Sequence, residues 1–375
     1  MSAARTSLAL LAFLAPACGG AASPAAPPSS TAPSRPFALG LGDFPHARTV
    51  AAVEAALEAI RRDADMMVVH LDDGVPWEEA AAGAPYPPAY QADLERRARA
   101  QPPGHLRYLA ATPLSFLRDG LADRQGGSGS EPRRPPWDRR RFDDLETIEA
   151  YAAHCERLIG LFNPDFFSYG IEVNILARSR PELWPGLVRL LSEVHGRLKA
   201  RHPALPAVLT FQVDFLRIEP DRQAQAIREV MPFTDVVGAS TYAFEQQADP
   251  RALPPDFFDG LVALGGGKRF GIAETGWPAE TVGPPYPKVI PATEETQRLY
   301  VEWLLGQGER HQAAFVNWIF SRDYDDLWEA EMRNLPAAPL LRLWKDIGLY
   351  RGDGTARPSR DLWRAALARP RLGGR

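Results

Sequence analysis

The sequence is most informative at Lys268-Arg269-Phe270-Gly271-Ile272-Ala273-Glu274-Thr275-Gly276-Trp277-Pro278, where a short apolar run ends in a single carboxylate. The run has the length of a β-strand and stops at a Gly-Trp-Pro turn. A lone Glu beside a Trp adds little to a core, but it suits the C-terminal rim of a barrel of parallel strands, where functional side chains collect. Residues 166–174 have the same design and carry Glu172. The two segments together predict two carboxylates at one end of a barrel.

On either side of these segments, apolar runs of strand length alternate with longer helical patterns, which is typical of an α/β fold with a parallel sheet. Eight strand–helix pairs can be counted, and this number favours a single closed (β/α)8 TIM barrel over an open sheet. No Gly-rich phosphate-binding motif follows a strand, which argues against nucleotide binding. Besides the two carboxylate segments, the predicted strands are residues 37–41, 66–71, 106–111, 207–213, 235–241 and 314–319.

The N-terminal residues are not expected to belong to the barrel. The apolar run at residues 8–14 is too short to span a membrane permanently and is typical of a signal peptide. It leads into Leu-Ala-Pro-Ala-Cys18-Gly19, which resembles a bacterial lipobox; an ordinary secretory signal is the alternative. The resemblance implies removal of residues 1–17 and lipidation of Cys18. The protein would then be anchored in the cell envelope, at the outer membrane in a Gram-negative host, whereas the alternative predicts secretion.

Composition limits the remaining possibilities. Residues 18–36 consist mainly of Ala, Pro, Ser and Thr and are expected to form a disordered tether, which leaves residues 37–375 for the barrel. The chain has 43 basic and 47 acidic residues, a balance that gives no reason to expect nucleic acid as a partner. Cys155 is the only cysteine besides Cys18, and we expect it to be a buried structural thiol. We expect a monomer that needs no metal or cofactor.

Residues 114–143 interrupt the alternation of strands and helices. The stretch 124–136 is rich in Gly, Pro and Arg and is predicted to be a loop. A long loop after the third strand would lie on the same rim as the carboxylates. It would either shape a substrate groove or be a passive insertion, and the sequence leaves both open.

Glu172 and Glu274 should face one cleft, because the fourth and seventh strands lie nearly opposite each other in a barrel of eight. Hydrolysis of a glycosidic bond requires one carboxylic acid to protonate the leaving oxygen and one carboxylate to attack, or to activate water, from the other side. A separation of about 5 to 5.5 Å predicts a covalent intermediate and retention of anomeric configuration. Both roles are filled by side chains, so no cofactor is required.

The pattern resembles the clan A barrel glycoside hydrolases, most closely the endo-β-1,4-galactanase type, over about residues 37–368. The Glu-Thr-Gly-Trp-Pro string also recurs in plant-type endo-β-1,3-glucanases. The resemblance implies that Glu172 is the general acid/base and Glu274 the nucleophile. It further implies that Tyr242 hydrogen-bonds the nucleophile and that Trp318 forms the platform beneath the sugar.

Other candidates and two departures complete the site. The clan usually has Asn immediately before the acid/base, whereas this chain has Ile171 there. Asn174 could take the place of that Asn only if the chain formed a bulge. Asn174 is nevertheless a candidate substrate contact. His70 stands where the clan often has Arg. His70 and Asp43 end strands and line either the cleft or the core. Trp277 is either a second sugar platform or a packing residue of its turn.

The sequence therefore predicts a retaining glycoside hydrolase acting on a β-linked polysaccharide or oligosaccharide. A carbohydrate-binding surface lipoprotein that has lost turnover is the alternative, and Ile171 favours it. A barrel hydrolase of non-sugar bonds is a further alternative, but no Ser or Cys with a matched His supports it.

Overall fold

A computed structural model describes residues 34–127 and 129–372 of the chain. The predicted signal peptide, the lipidation at Cys18 and nearly all of the predicted tether lie outside the described residues. Within the described part, no helix is both long and apolar enough to cross a membrane.

Eight parallel strands close into one barrel, and each pairs with its neighbours in sequence, the first also with the eighth. The prediction of a single (β/α)8 barrel is confirmed. The strands are β1 Ala38–Gly42, β2 Met66–Leu71, β3 Leu106–Ala111, β4 Phe166–Gly170, β5 Ala207–Gln212, β6 Val236–Thr241, β7 Arg269–Thr275 and β8 Phe315–Trp318.

One helix follows each strand and covers the outside of the barrel, and all have ten residues or more except the six-residue helix after β6. These helices are α1 Val50–Asp63, α2 Pro88–Arg99, α3 Leu145–Phe162, α4 Trp184–Arg201, α5 Pro220–Val230, α6 Asp259–Leu264, α7 Glu294–Arg310 and α8 Pro358–Leu367. Shorter helices within the loops are Trp77–Ala82, Asn174–Ser179, Val213–Ile218, Asp325–Ala330 and Ala338–Leu341. Helix α7 is capped at its N-terminus, since the Thr293 side chain accepts from the N–H of Thr296.

The barrel interior is filled, so functional side chains can lie only at its rim. Successive side chains of a strand point to opposite faces, and one set points inward while the other packs beneath the helices. Phe315 occupies the middle of the interior, with its ring centroid 5.1 Å from that of Tyr108 and 5.0 Å from that of Phe166. Gly271 makes room for it, because a Cβ there would lie 2.4 Å from the Phe315 ring.

The insertion at residues 114–143 is folded against the barrel. Contrary to the loop prediction for 124–136, Arg124–Gln125 and Ser130–Glu131 form a short antiparallel ladder. Arg124 pairs with three carboxylates, those of Glu78, Glu79 and Glu131. The Trp137 ring stacks on the Trp77 ring at 5.5 Å. These contacts fix the base of the insertion beside the rim.

Cys155 is fully buried in α3, and burial raises the pKa of its thiol. His154 is also buried, and its Nδ1 lies 2.8 Å from the Tyr86 hydroxyl. Burial lowers the pKa of His154 to about 3, so the imidazole is neutral. A neutral imidazole and an un-ionised thiol agree with the expected structural role.

Candidate active site

Glu274 lies at the C-terminal rim because the apolar strand β7 ends there. The pairing of β6 with β7 shifts between Ala239 and Ser240, and this irregularity sets Glu274 directly opposite Ser240. The Tyr242 hydroxyl, just beyond β6, donates to Glu274 Oε1 at 2.6 Å. His70 on β2 brings its Nε2 to 3.1 Å from Glu274 Oε2. Strands β2, β6 and β7 thus bring their rim residues together around a carboxylate that is only 8% exposed.

The surroundings of Glu274 favour its ionised form. Burial opposes ionisation, but the charge of His70, the Tyr242 hydrogen bond and the charge of Arg118 outweigh it, and the pKa of Glu274 lies below its usual value. Conversely, burial lowers the pKa of His70, yet the charge of Glu274 and then that of Asp72 raise it above normal overall. The pair therefore favours carboxylate and imidazolium together.

Glu172 occupies a strained position two residues beyond β4. Its φ of +51° is in the left-handed region, which non-glycine residues rarely adopt and which recurs at functional sites. The conformation is held by hydrogen bonds from the Glu172 N–H to Thr210 Oγ1 at 2.7 Å and from Ser240 Oγ to Glu172 Oε1 at 2.6 Å. Ser240 is also the Cα partner of Glu274 in the sheet, so both glutamates lie at the same end of the barrel.

The pKa of Glu172 is displaced in the opposite direction to that of Glu274. Burial and then the charge of Glu274 raise the pKa of Glu172 to about 7, against the opposing effects of Arg118 and the Ser240 hydrogen bond. When their environments give two neighbouring carboxyl groups different pKa values, one can act as a proton donor while the other remains an anion. At pH values between the two pKa values, this site holds a proton on Glu172 and a negative charge on Glu274.

Arg118 is a site residue that sequence analysis missed. It lies in the insertion after β3, is 5% exposed, and forms a two-pronged pair with Asp72 at 2.8 and 2.6 Å. Its Nε lies 3.5 Å from Glu172 Oε2. The insertion therefore contributes to the rim and is not passive. Nothing in the sequence distinguishes Arg118 from the other arginines of the insertion.

Two aromatic side chains that the sequence analysis did not select, Trp344 and Phe116, continue from Tyr242 to the surface. Trp344, in the 3-10 turn Arg342–Trp344, packs on Tyr242 with ring centroids 5.6 Å apart. Phe116, two residues before Arg118, contacts Trp344 edge-on at 6.3 Å and is 41% exposed. We call Tyr242, Trp344 and Phe116 the aromatic wall. Such rings suit the apolar faces of sugars.

The prediction for Trp318 as a sugar platform is wrong. Its side chain is 0% exposed and lies in the layer between strands and helices, where it contacts Tyr300 and Trp363 and donates from Nε1 to the Ile347 carbonyl at 2.8 Å. The alternation along β8 explains the error. Asn317 takes the inward-facing position, which points Trp318 away from the barrel axis.

Trp277 and Asn174 are also packing residues. The fully buried Trp277 ring stacks on Tyr300 at 4.6 Å, which decides between its two interpretations in favour of packing. Asn174 is buried at the start of a short helix and is satisfied by the Gln212 backbone and the Gln223 side chain. The assignment of Asn174 as a substrate contact is therefore wrong.

Two further candidates complete the comparison with the sequence predictions. Asp43 pairs with Arg97 of α2 at 2.7 and 2.6 Å, so its carboxylate is engaged by a helix and not by the carboxylate pair. Ile171 is buried in the barrel interior, and the chain turns directly after it. His70, Tyr242, Glu172 and Glu274 are thus the predicted site residues that the structure brings together.

One further group of carboxylates lies beside the site, at Glu280, Asp323 and Asp346. Arg357 pairs with Glu280 and Asp323, while Lys345 pairs with Asp346 at 2.8 Å. Because cations already neutralise these oxygens, the group is a structural ion-pair network and offers no ready metal site.

Comparison with known proteins adds information at the level of the fold. No protein-family model matches the sequence. No curated protein matches it either. Solved structures do match. The exo-β-1,4-mannosidase Op5Man5 from Opitutaceae bacterium strain TAV5 has a TM-score of 0.64 at 15% identity, covering 89% of this chain and 60% of that one. This chain thus spans less than two thirds of that enzyme.

Two other structural neighbours are covered more fully. A GH5_18 variant from Streptomyces cattleya, in complex with Manβ1-4GlcNAc, has a TM-score of 0.63 at 15% identity, covering 88% of this chain and 80% of that one. The GH53 catalytic domain from Ignisphaera aggregans has a TM-score of 0.50 at 18% identity, covering 85% of this chain and 88% of that one. The neighbours are clan A (β/α)8 glycoside hydrolases. At these identities the similarity establishes a shared fold.

Proposed function

We propose that this protein is a retaining glycoside hydrolase in which Glu172 is the general acid/base and Glu274 is the nucleophile. The observation that carries the proposal is the pair of buried carboxyl groups at the rim, one favouring its protonated form and the other its anion. The fold of the structural neighbours supports the same activity.

In the first step, Glu274 attacks the anomeric carbon while Glu172 gives its proton to the glycosidic oxygen. The bond between that carbon and the leaving oxygen breaks, and a glycosyl ester forms on Glu274. Tyr242, which donates to Glu274 Oε1, orients the attacking carboxylate. In the second step, Glu172 takes a proton from water, whose oxygen displaces Glu274 from the sugar.

The proposed substrate is a β-linked polysaccharide or oligosaccharide. The aromatic wall supports this choice, because its rings extend from the nucleophile to an exposed Phe116 and offer a surface to sugars beyond the cleaved bond. The structural neighbours include a β-1,4-mannosidase and a protein bound to a β-1,4-linked disaccharide. β-1,4-Galactan, β-1,4-mannan and β-1,3-glucan are therefore the substrates to test first.

The test is release of reducing sugar from this panel by the native protein and by Glu172→Gln and Glu274→Gln. We expect each variant to lose at least about a thousandfold in kcat, because removal of one catalytic member disables the whole step. Glu54→Gln, at an exposed position on α1, is the control and should leave the rate unchanged. Undiminished hydrolysis by Glu274→Gln would exclude the proposed mechanism.

A carbohydrate-binding protein without turnover is the second candidate function. Ile171 favours it, since an aliphatic side chain replaces the amide that the resemblance calls for beside the acid/base. In that case calorimetry would detect binding of an oligosaccharide from the panel, while the native protein would release no reducing sugar. Hydrolysis by the native protein excludes this candidate.

We also propose that Cys18 is lipidated and anchors the protein in the cell envelope. The proposal depends on the lipobox-like sequence that ends at Gly19. Metabolic labelling with a fatty acid in the native host, compared with Cys18→Ser, tests it. Unlabelled native protein in the culture medium would support ordinary secretion instead.

A further inference from the structure

The side chain of Arg118 is held more firmly than a surface arginine. Both of its terminal nitrogens are bound to Asp72, and Nη1 also donates to the Ser115 carbonyl at 3.1 Å. The backbone is fixed as well, because the Arg118 carbonyl accepts from Ser179 Oγ at 3.1 Å and φ is +56°. The chain accepts a disfavoured conformation at this position, and this conformation directs the guanidinium into the rim.

Of the three guanidinium nitrogens of Arg118, Nε is the one without a hydrogen-bond partner among the described residues. It is buried and lies 3.5 Å from Glu172 Oε2. The other oxygen of Glu172 already accepts from Ser240. A guanidinium facing an ionised carboxylate normally closes to about 2.7–2.9 Å. At 3.5 Å the Nε and Oε2 atoms are not hydrogen-bonded, and a small movement would bring them to that distance.

We propose that Arg118, oriented by Asp72, is a positioning residue that stabilises the carboxylate which Glu172 becomes after it has protonated the leaving group. This inference rests on the proposed function. When the O–H bond of Glu172 breaks and its proton moves to the glycosidic oxygen, the Nε–H of Arg118 gains an anionic acceptor at Oε2. When water returns a proton to Glu172 in the second step, that contact loosens again.

The charges around Glu172 make the role testable. The groups that face it are Glu274 from β7, Ser240 from β6, Arg118 from the insertion and Asp72 after β2. The Arg118 charge lowers the pKa of Glu172, whereas those of Glu274 and Asp72 raise it. Removing Arg118 or Asp72 should therefore shift the titration of Glu172 in opposite directions. A residue that only supports the fold would not produce opposite shifts.

The experiment compares the native protein with Arg118→Gln and Asp72→Asn. Above neutral pH, kcat/KM should decline as Glu172 loses its proton. We expect Arg118→Gln to move this decline up by about one pH unit, the usual effect of an opposite charge at this distance. Asp72→Asn should move the decline in kcat/KM to lower pH. Arg139→Gln is the control. The side chain of Arg139, also in the insertion, is 90% exposed, so its loss should leave the pH of the decline unchanged.

A second readout separates the two chemical steps. An aryl β-glycoside with an activated leaving group needs no proton in the first step, but it still needs the Glu172 carboxylate as base in the second. The burst of released phenol reports the first step, so Arg118→Gln should retain it. The steady-state rate reports the second step and should fall about tenfold or more below that of the native protein. Equal loss of burst and steady-state rate, or a pH profile that neither variant moves, would overturn the inference.

The role of Arg118 can be tested independently of whether the protein is a hydrolase. Titration of Glu172 by carboxyl-carbon NMR requires no turnover, so it measures the two shifts even if the native protein hydrolyses nothing. Opposite shifts in that case would support the Arg118–Asp72 arrangement while the hydrolase proposal fails. If Arg118→Gln does not fold, Asp72→Asn alone decides, since an unmoved Glu172 titration in that variant also overturns the inference.

Discussion

At the scale of single residues, the proposed function depends on two glutamates in unlike surroundings. His70 and Tyr242 are held against Glu274, whereas Ser240 contacts Glu172, whose pKa is raised by burial and by the charge of Glu274. Neither environment is visible in the local sequence, because each is assembled from several strands. The identity of the two carboxylates was nevertheless predictable, since both follow apolar strands at positions where a carboxylate contributes nothing to packing.

These surroundings predict a bell-shaped pH dependence of kcat/KM. Glu274 must be ionised, so the rate should fall as pH drops through its pKa, which lies below the usual value for Glu. Glu172 must be protonated, so the rate should fall again as pH rises through about 7. We therefore expect an optimum on the acidic side of neutrality, measured with an unactivated β-linked oligosaccharide. A rate that keeps rising to pH 9 would rule out Glu172 as the acid.

Arg118 shows where sequence analysis reaches its limit. Its position depends on a loop conformation with positive φ and on a partner 46 residues earlier in the chain. Strand periodicity contains no information about either. His70 and Arg118 each place a basic side chain at the rim, His70 beside Glu274 and Arg118 beside Glu172.

At the scale of elements, strand β8 shows how one position alters an assignment. Sequence analysis identified the strand but chose Trp318 for the cleft, although its neighbour Asn317 takes the inward position. An apolar strand buried on both faces gives no alternation from which the inward set can be read. The existence of the eight strands was predictable for the opposite reason, since each is a compact apolar run between helical patterns.

Two tryptophan substitutions test this assignment. Trp318→Ala should lower the free energy of unfolding by about 3–5 kcal/mol, because it opens a cavity in the packed outer layer. Trp344→Ala should instead weaken oligosaccharide binding roughly 3- to 10-fold, the range expected when a favourable ring contact is lost. Urea unfolding and calorimetry in a Glu274→Gln background measure the two effects. The assignment of Trp318 to packing and Trp344 to the aromatic wall would be wrong if the effects were reversed, so that Trp318→Ala bound sugar more weakly and Trp344→Ala was the less stable protein.

At the scale of the whole molecule, the barrel converts distant sequence positions into one site. Glu172 and Glu274 are separated by three strand–helix units, yet both contact or face residues of the same rim. The filled interior prevents a site at the barrel axis, so chemistry can vary only in the loops. This arrangement explains how neighbours that share 15% of their residues keep the architecture. It also explains why the fold was easier to predict than the aromatic wall, which is built from loop residues.

The proposed mechanism further predicts the stereochemical outcome. Ser240 is the Cα partner of Glu274 on the adjacent strand, and its Oγ donates to Glu172 Oε1 at 2.6 Å. If Glu274 is the nucleophile, the two carboxyl groups should lie about 5–5.5 Å apart, whereas a mechanism that seats a water between them needs roughly 6.5–9.5 Å. Proton NMR of the first product formed from a β-linked substrate should therefore show the β-anomer before mutarotation. Initial appearance of the α-anomer would mean that Glu274 acts as a base toward water and forms no bond to the sugar.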